Sequence, residues 1–261
     1  MGDLMTIKIV AEIGVNWTSA PEALQMIQEA KSAGAYAVKF QLFNEEVIEE
    51  SPVKDQLQPL ILNENQIQTF RTECDNNKIG LALTPMYLDA FKLAEKYADV
   101  IKIRYADHEN NDFIDIALRT GKPTLISVPR IPLGDVRYFN PRLHAMYCIP
   151  RYPPEPEDFN LDAASICRGF SSHFPHTILD IAWAINRTYE DSYLEKHVMF
   201  PRNKWKARPD YGASPEGHEP EDMPLIITPP IDAAVSITFD DLKTLIRQLK
   251  IIERIKRTRL T

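Results

Sequence analysis

The chain is 261 residues long, 44% hydrophobic and 26% charged, which fits one globular domain with a substantial core. Its net charge of −7, with no polybasic run, argues against nucleic acid or an anionic membrane surface as a partner. No apolar stretch approaches the roughly 18 residues of a membrane span, and Met1 leads into I-K-I-V without an apolar signal segment, so a cytoplasmic protein is expected.

Short apolar runs then alternate with amphipathic stretches along the whole chain. A strand is expected at 7–13, followed by a helix at 20–33 that Ser19-Ala20-Pro21 starts and Gly34 stops. Strand 35–41 precedes helix 64–78, for which Asn63 is the candidate cap, and strand 79–83 precedes helix 87–97. Strand 99–104 and helix 111–119 follow, with Gly121 just beyond. Strands at 123–128, 142–149, 168–172 and 190–198 complete the set, with helices at 177–187 and 239–257.

A length near 250 residues and eight such strand units favour a single (β/α)₈ TIM barrel over residues 1–261, an α/β fold. Strand order is not readable from one sequence, so a doubly wound sheet stays open. The crossovers 129–141 and 154–167 leave room for about two helical turns at most, at ~1.5 Å rise per residue. Helices after strands 5 and 6 are therefore expected to be short or missing, and that thin flank is the candidate interface of a homodimer. Twenty prolines against nine glycines crowd into 129–156 and 201–230, which read as ordered but irregular loops.

His173 in G-F-S-S-H and His197 in Y-L-E-K-H each fall at the C-terminal end of a strand. In a barrel, adjacent strands bring both imidazoles to one mouth, where they could hold a single divalent metal; the alternative is a pair of hydrogen-bonded core histidines. Glu12 in I-V-A-E-I-G and Lys39 in A-V-K-F-Q face the same mouth. Lys39 and Lys102 sit inside apolar runs, where an unpaired ammonium is costly, so each needs an anion site or a salt bridge. Arg104, Arg130 and Arg151 fall just after strands, where barrel active sites form, and their forks suit phosphate or carboxylate if they are not simply loop arginines. Trp17, Tyr105 and Tyr152 share those strand-end positions and either wall a sugar-sized pocket or pack in the core. The constellation points to an enzyme acting on small phosphorylated molecules. Cys74, Cys148 and Cys167 are odd in number and lack C-x-x-C spacing, which indicates reduced thiols and neither a disulfide framework nor a zinc knuckle.

In order along the chain stand A-E-I-G-V-N, A-G-A-Y-A-V-K-F-Q, L-T-P-M, G-K-P-T-L-I-S, R-Y-P-P-E-P-E-D-F-N-L, G-F-S-S-H and L-E-K-H. Together they resemble the catalytic barrel of the sialic acid synthase family, over about residues 7–256. The resemblance implies condensation of phosphoenolpyruvate with an open-chain N-acylhexosamine, assisted by a divalent metal, typically manganese, although two imidazoles also suit zinc, cobalt or iron. It implies His173 and His197 as metal ligands and Glu12 as the acid/base carboxylate. It places Lys39, Lys102, Ser127 and Ser171 around the phosphate with Thr84 nearby, and Gln41, Tyr152, Glu195 and Asp232 toward the sugar or behind the metal.

The chain also departs from that family. Trp17 stands at a usual His; K-I-R-Y-A-D replaces K-I-G-S-G-E, putting Arg104, Tyr105 and Asp107 in the phosphate loop. S-V-P-R replaces S-T-G-M, introducing Arg130, and Pro150-Arg151 precedes the Tyr-Pro pair. Residues 201–228 form a longer loop after strand 8, and the chain stops where the family's C-terminal antifreeze-like domain begins. That domain's substrate-binding arginine is expected to be replaced by Arg104, Arg130 or Arg151, or by Lys204, Lys206 and Arg208. The leading expectation is a nonulosonic acid synthase; the others are a lyase or aldolase on a phosphorylated keto acid, and a non-catalytic barrel that binds a sugar acid or phosphate.

Overall fold

The eight expected strands form within two residues of their expected ends, in a computed structural model that describes residues 6–132, 134–201 and 229–258. In chain order the elements are β1 (Ile7–Glu12), α1 (Ala20–Ala33), β2 (Ala37–Leu42), α2 (Glu45–Ile48), α3 (Lys54–Leu57), α4 (Glu64–Asn77), β3 (Gly80–Pro85), α5 (Ala90–Tyr97) and β4 (Val100–Ile103). They continue with α6 (Asn111–Arg119), β5 (Thr124–Val128), β6 (Leu143–Cys148), α7 (Leu161–Ser165), β7 (Gly169–Ser172), α8 (Ile178–Asn186), β8 (Ser192–Met199), β9 (Ile237–Thr238) and α9 (Phe239–Thr258). Each strand pairs in parallel with the next, and β1 pairs in parallel with β8, with Glu12 opposite His197. That last pairing closes the sheet, so the fold is a (β/α)₈ barrel and the doubly wound alternative falls away.

Closure splits the buried side chains into two sets, because alternate residues of a strand face opposite sides of the sheet. Ile9, Val38, Phe40, Ile101, Ile126 and Leu194 face outward and pack on the helices through Ile27, Phe70, Phe91, Trp183 and Leu245. Inside the barrel a smaller plug of Val10, Ala82, Val100, Leu125, Met146 and Tyr193 fills the lumen. Two residues further along each of those strands, the inward position turns polar: Glu12, Thr84, Lys102, Ser127, Cys148 and Glu195. The plug therefore floors a polar layer at the C-terminal end.

Local signals hold as expected where they are strong. Ser19 accepts from the Glu22 N–H at the start of α1, and Gly34 ends it with φ 100°, a left-handed conformation that glycine adopts cheaply. Asn63 and Gln66 make a reciprocal capping box on α4. The fifth and sixth crossovers are short. After β5 there is a 3₁₀ turn, Val136–Phe139, and after β6 a 3₁₀ turn, Pro156–Asp158, and the five-residue α7. On that flank Val136 and Phe139 are 74% and 85% exposed. The two four-residue helices α2 and α3 were not expected, since neither is long enough to show a period. Nor was β9, whose Ile237 pairs with Val198 and extends the edge of β8.

At the opposite end of the barrel Glu253 of α9 accepts from the Ile7 N–H at 2.9 Å and from Arg187 Nη2 at 3.0 Å, tying the last helix to the first strand. Cys74, Cys148 and Cys167 are buried and free. Among the described residues no helix is long and apolar enough to cross a membrane. The long loop expected at 201–228 lies outside the described residues from position 202 onward.

Gly169 faces the lumen, where an added Cβ would come within 2.1 Å of Met146 Sδ and 2.6 Å of the Tyr193 carbonyl oxygen. Since backbone must yield, Gly169→Ala is expected to cost about 1–3 kcal/mol. Urea unfolding monitored by circular dichroism reads this directly; an unshifted midpoint contradicts the tight interior.

Candidate active site at the C-terminal mouth

The polar layer above the plug is an ion network. Lys39 Nζ lies 3.0 Å from Glu12 Oε2 and 3.6 Å from Glu195 Oε2, and donates to Thr84 Oγ1 at 3.1 Å. Lys102 Nζ donates to Glu195 Oε1 at 2.9 Å, and Ser171 Oγ donates to the same oxygen at 2.8 Å. Both lysines thus find the salt bridges that their burial demands. All four charged groups are at most 4% exposed. Burial raises the Glu195 carboxyl, yet Lys102 and Lys39 together hold it well below the usual carboxylate range. Burial lowers the Lys39 ammonium, but Glu12 and Glu195 outweigh it and raise its affinity for the proton. At Lys102 burial wins over Glu195, with Lys39 adding repulsion, so its ammonium sits below the ordinary lysine value.

Glu12 is fixed from above as well. Gln41 Nε2 donates to Glu12 Oε1 at 2.8 Å. Gly14 has φ 51°, and a Cβ there would stand 2.7 Å from that same Glu12 oxygen, so the tight turn after β1 leaves room for the carboxylate.

One step nearer solvent stand the histidines. The rings of His173 and His197 have centroids 5.2 Å apart, with the Tyr152 ring 4.9 Å from the first and 6.1 Å from the second. Asp232 Oδ2 lies 3.3 Å from His197 Nδ1. Burial raises the Asp232 carboxyl, and the His197 contact overrides it and holds the group below its ordinary value. Asn16 places Asp232: its Oδ1 accepts from the Asp232 N–H at 3.1 Å, while its Nδ2 donates to the Val198 carbonyl at 2.9 Å. Burial, helped by neighbouring His197, pushes His173 down to about 3, so its imidazole is neutral.

These donors suit a divalent metal. Two imidazoles converge, and a carboxylate behind one of them fixes its ring, the usual support of a ligating histidine. Among the described residues no group of three or more His, Cys, Asp or Glu is arranged to hold a metal, so His173 and His197 are the candidate ligands here.

A cavity of about 280 Å³ opens over both layers and gathers the expected carboxylates, lysines, histidines and hydroxyls, together with Gln41, Tyr152 and Arg104. Three expectations need correction. Arg130 is exposed outside the cavity, and Arg151 is exposed and turned back on its own loop, 3.5 Å from Glu155 and 3.4 Å from Asp158. Asp107 does not line the cavity; it accepts from Arg104 Nε and so orients the arginine that does. Of the two places expected for Trp17, it takes the core: it is buried, donates to the Gly14 carbonyl at 2.9 Å and meets Phe70 edge-on. Lys204, Lys206 and Arg208 lie outside the described residues. The lining residues Leu57, Met86 and Ile231 gave no sequence signal, whereas Asn16 was visible within A-E-I-G-V-N.

The model of the NeuB family matches residues 26–228. An uncharacterized protein of Methanocaldococcus jannaschii is 24% identical over 231 residues, covering 82% of this chain and 68% of its own length. N-acetylneuraminate-9-phosphate synthases of Drosophila melanogaster and Mus musculus are 26% and 25% identical, over 53% and 66% of their own lengths. The chain therefore spans about half to two-thirds of those two synthases. In fold it resembles N-acetylneuraminic acid synthetase from Leptospira borgpetersenii, solved with citrate, at 21% identity and a TM-score of 0.77, over 97% of this chain and 86% of that one. A phospho-2-dehydro-3-deoxyheptonate aldolase from Thermotoga maritima shares the fold at 14% identity and a TM-score of 0.66, over 95% of this chain and 70% of its own.

Because Glu195 is held below its ordinary 4.5, the folded state binds fewer protons than the unfolded one as pH falls past that value. Its contribution to stability is present above pH 4.5 and lost on acidification. Glu195→Gln, which leaves Lys102 buried without its carboxylate, is expected to lose about 3–5 kcal/mol at neutral pH. It should also flatten the fall in stability between about pH 5 and pH 3. Urea midpoints across that range check both, and parallel slopes for the two proteins contradict the assignment.

Proposed function

The chain belongs to the NeuB family, and from that membership we propose that it is a sialic acid synthase-like enzyme. It joins phosphoenolpyruvate to an open-chain N-acylhexosamine, with a divalent metal, manganese first among candidates, at His173 and His197. The observation that carries this reading is the stacking of two layers in one cavity: paired lysines and carboxylates below, two converging imidazoles above.

Each layer supports one half of the chemistry. Lys39, Lys102, Ser127, Ser171 and Thr84 offer buried ammonium and hydroxyl donors, and charge-assisted hydrogen bonds from such groups to a phosphate and a carboxylate are strong. When bound, a divalent ion held by His173 and His197 supplies Lewis-acid polarisation of an aldehyde oxygen. The enol carbon of phosphoenolpyruvate then bonds to the aldehyde carbon, and water adds at C2. Phosphate departs with the bridging oxygen, leaving a 2-keto-3-deoxy sugar acid. Glu12, held by Lys39 and Gln41 beneath the imidazoles, is placed to take the proton of the attacking water.

Charge balance favours the metal. Glu12, Glu195 and Asp232 outnumber Lys39 and Lys102, so a substrate carrying both a phosphate and a carboxylate needs further positive charge to enter this cavity. Arg104 at the rim supplies part of it. It is the expected arginine that lines the cavity, and Asp107 and Met86 Sδ fix its guanidinium.

The test is phosphate release from phosphoenolpyruvate with Mn²⁺ and a panel of N-acylhexosamines. Release should require an acceptor, stop with chelator and return with metal. His197→Ala and Glu12→Gln should each lower kcat about 100-fold or more while the fold persists. Arg104→Ala should instead raise the KM of an anionic substrate about tenfold, the loss of one charge-assisted contact. Absence of release with every acceptor would sink the synthase and leave a binding barrel.

A further inference from the structure

One buried lysine beside the histidines has no part in the chemistry proposed above. Lys196 lies between Glu195 and His197 on β8, and alternation sends its side chain out of the lumen, toward the turn between β7 and α8. It is 0% exposed. Its ammonium is surrounded by four oxygens: the Phe174 carbonyl at 2.6 Å, Asp180 Oδ2 at 2.9 Å, Ser172 Oγ at 3.0 Å and the His176 carbonyl at 3.0 Å. The turn that it grips runs from His173 to α8, and Asp180, also 0% exposed, stands in the first turn of that helix.

Stability alone does not call for this pair. Well-packed apolar residues often replace a buried ion pair with no loss, because they avoid its desolvation. The helix already has apolar anchors in Leu179, Trp183 and Ala184. An apolar pair, however, cannot bind the two carbonyls of the turn. His197 is fixed by its strand and by Asp232, whereas among the described residues the His173 ring nitrogens meet Cys148 Sγ, 3.9 Å from Nδ1. The placement of His173 therefore depends on the turn that follows it.

We infer that Lys196 is a positioning residue: with Asp180 it clamps the turn after β7, setting His173 opposite His197 at a spacing that one divalent ion can bridge. The inference rests on the metal-assisted reading of the mouth. It makes one residue of L-E-K-H act on both imidazoles, through the chain on one side and through two carbonyls on the other.

The paired replacement Lys196→Met with Asp180→Leu removes both charges at once and leaves no lone buried ion. Its denaturant midpoint should fall, because the turn carbonyls lose their donor, and the folded variant should bind Mn²⁺ about 10- to 100-fold more weakly by calorimetry. In metal-free crystals its ring separation should depart from 5.2 Å by about 1 Å or more. Wild-type Mn²⁺ affinity with an unchanged ring separation overturns the inference. If the double variant does not fold, Asp180→Asn takes its place: a smaller loss in the same direction supports the clamp, and no loss overturns it. If the wild type itself binds no Mn²⁺, the metal-assisted reading falls, and the ring separation in metal-free crystals decides the clamp by itself.

Discussion

Two ammonium groups, Lys39 and Lys102, are buried inside the barrel, and the carboxylates Glu12 and Glu195 make that burial tolerable. The apolar plug beneath them fills the lumen with low-dielectric packing, which strengthens the charge interactions above it and makes any unpaired group expensive. The same four residues are fixed before any ligand arrives. An incoming anion has to take over a lysine from a carboxylate, so substrate binding and the charge of the mouth are coupled from the start.

The barrel divides its labour by end. At the N-terminal face Glu253 gathers the Ile7 N–H and Arg187 into a knot that ties β1 to α9, an arrangement that serves the fold. At the C-terminal face the polar groups point into an open cavity and remain exchangeable. Barrel enzymes commonly separate stability and chemistry in this way. Here the separation is visible along single strands, where Val10 gives way to Glu12, Val100 to Lys102 and Tyr193 to Glu195.

Much of this was legible in the sequence because it is periodic or costly. Strand alternation and helix caps at Ser19 and Asn63 are local signals, and the structure follows them. A lysine inside V-I-K-I or a glutamate inside V-A-E-I has to find a partner, which is why Glu12, Lys39 and Lys102 could be picked out without coordinates. Closure was not legible, since β1 meets β8 across nearly two hundred residues. The loop side chains were harder still. Arg130 and Arg151 have the right positions in the chain but face solvent, because nothing local forces a loop arginine inward, and Arg151 finds Glu155 and Asp158 on its own loop. Trp17 joined the core for the same reason in reverse: Phe70 and a nearby carbonyl satisfied it first. Lys196 carries no such signal although it sits in L-E-K-H, because its outward direction becomes informative only once the turn carbonyls are in place.

The most direct measurement of the whole account is a crystal structure of the protein with Mn²⁺ and phosphoenolpyruvate. The account predicts an ion shared by His173 and His197, and a phosphate or carboxylate oxygen in hydrogen-bond contact with Lys39 or Lys102, displaced from its glutamate. An empty mouth at saturating ligand, or a ligand bound elsewhere while both lysines keep Glu12 and Glu195, would contradict it.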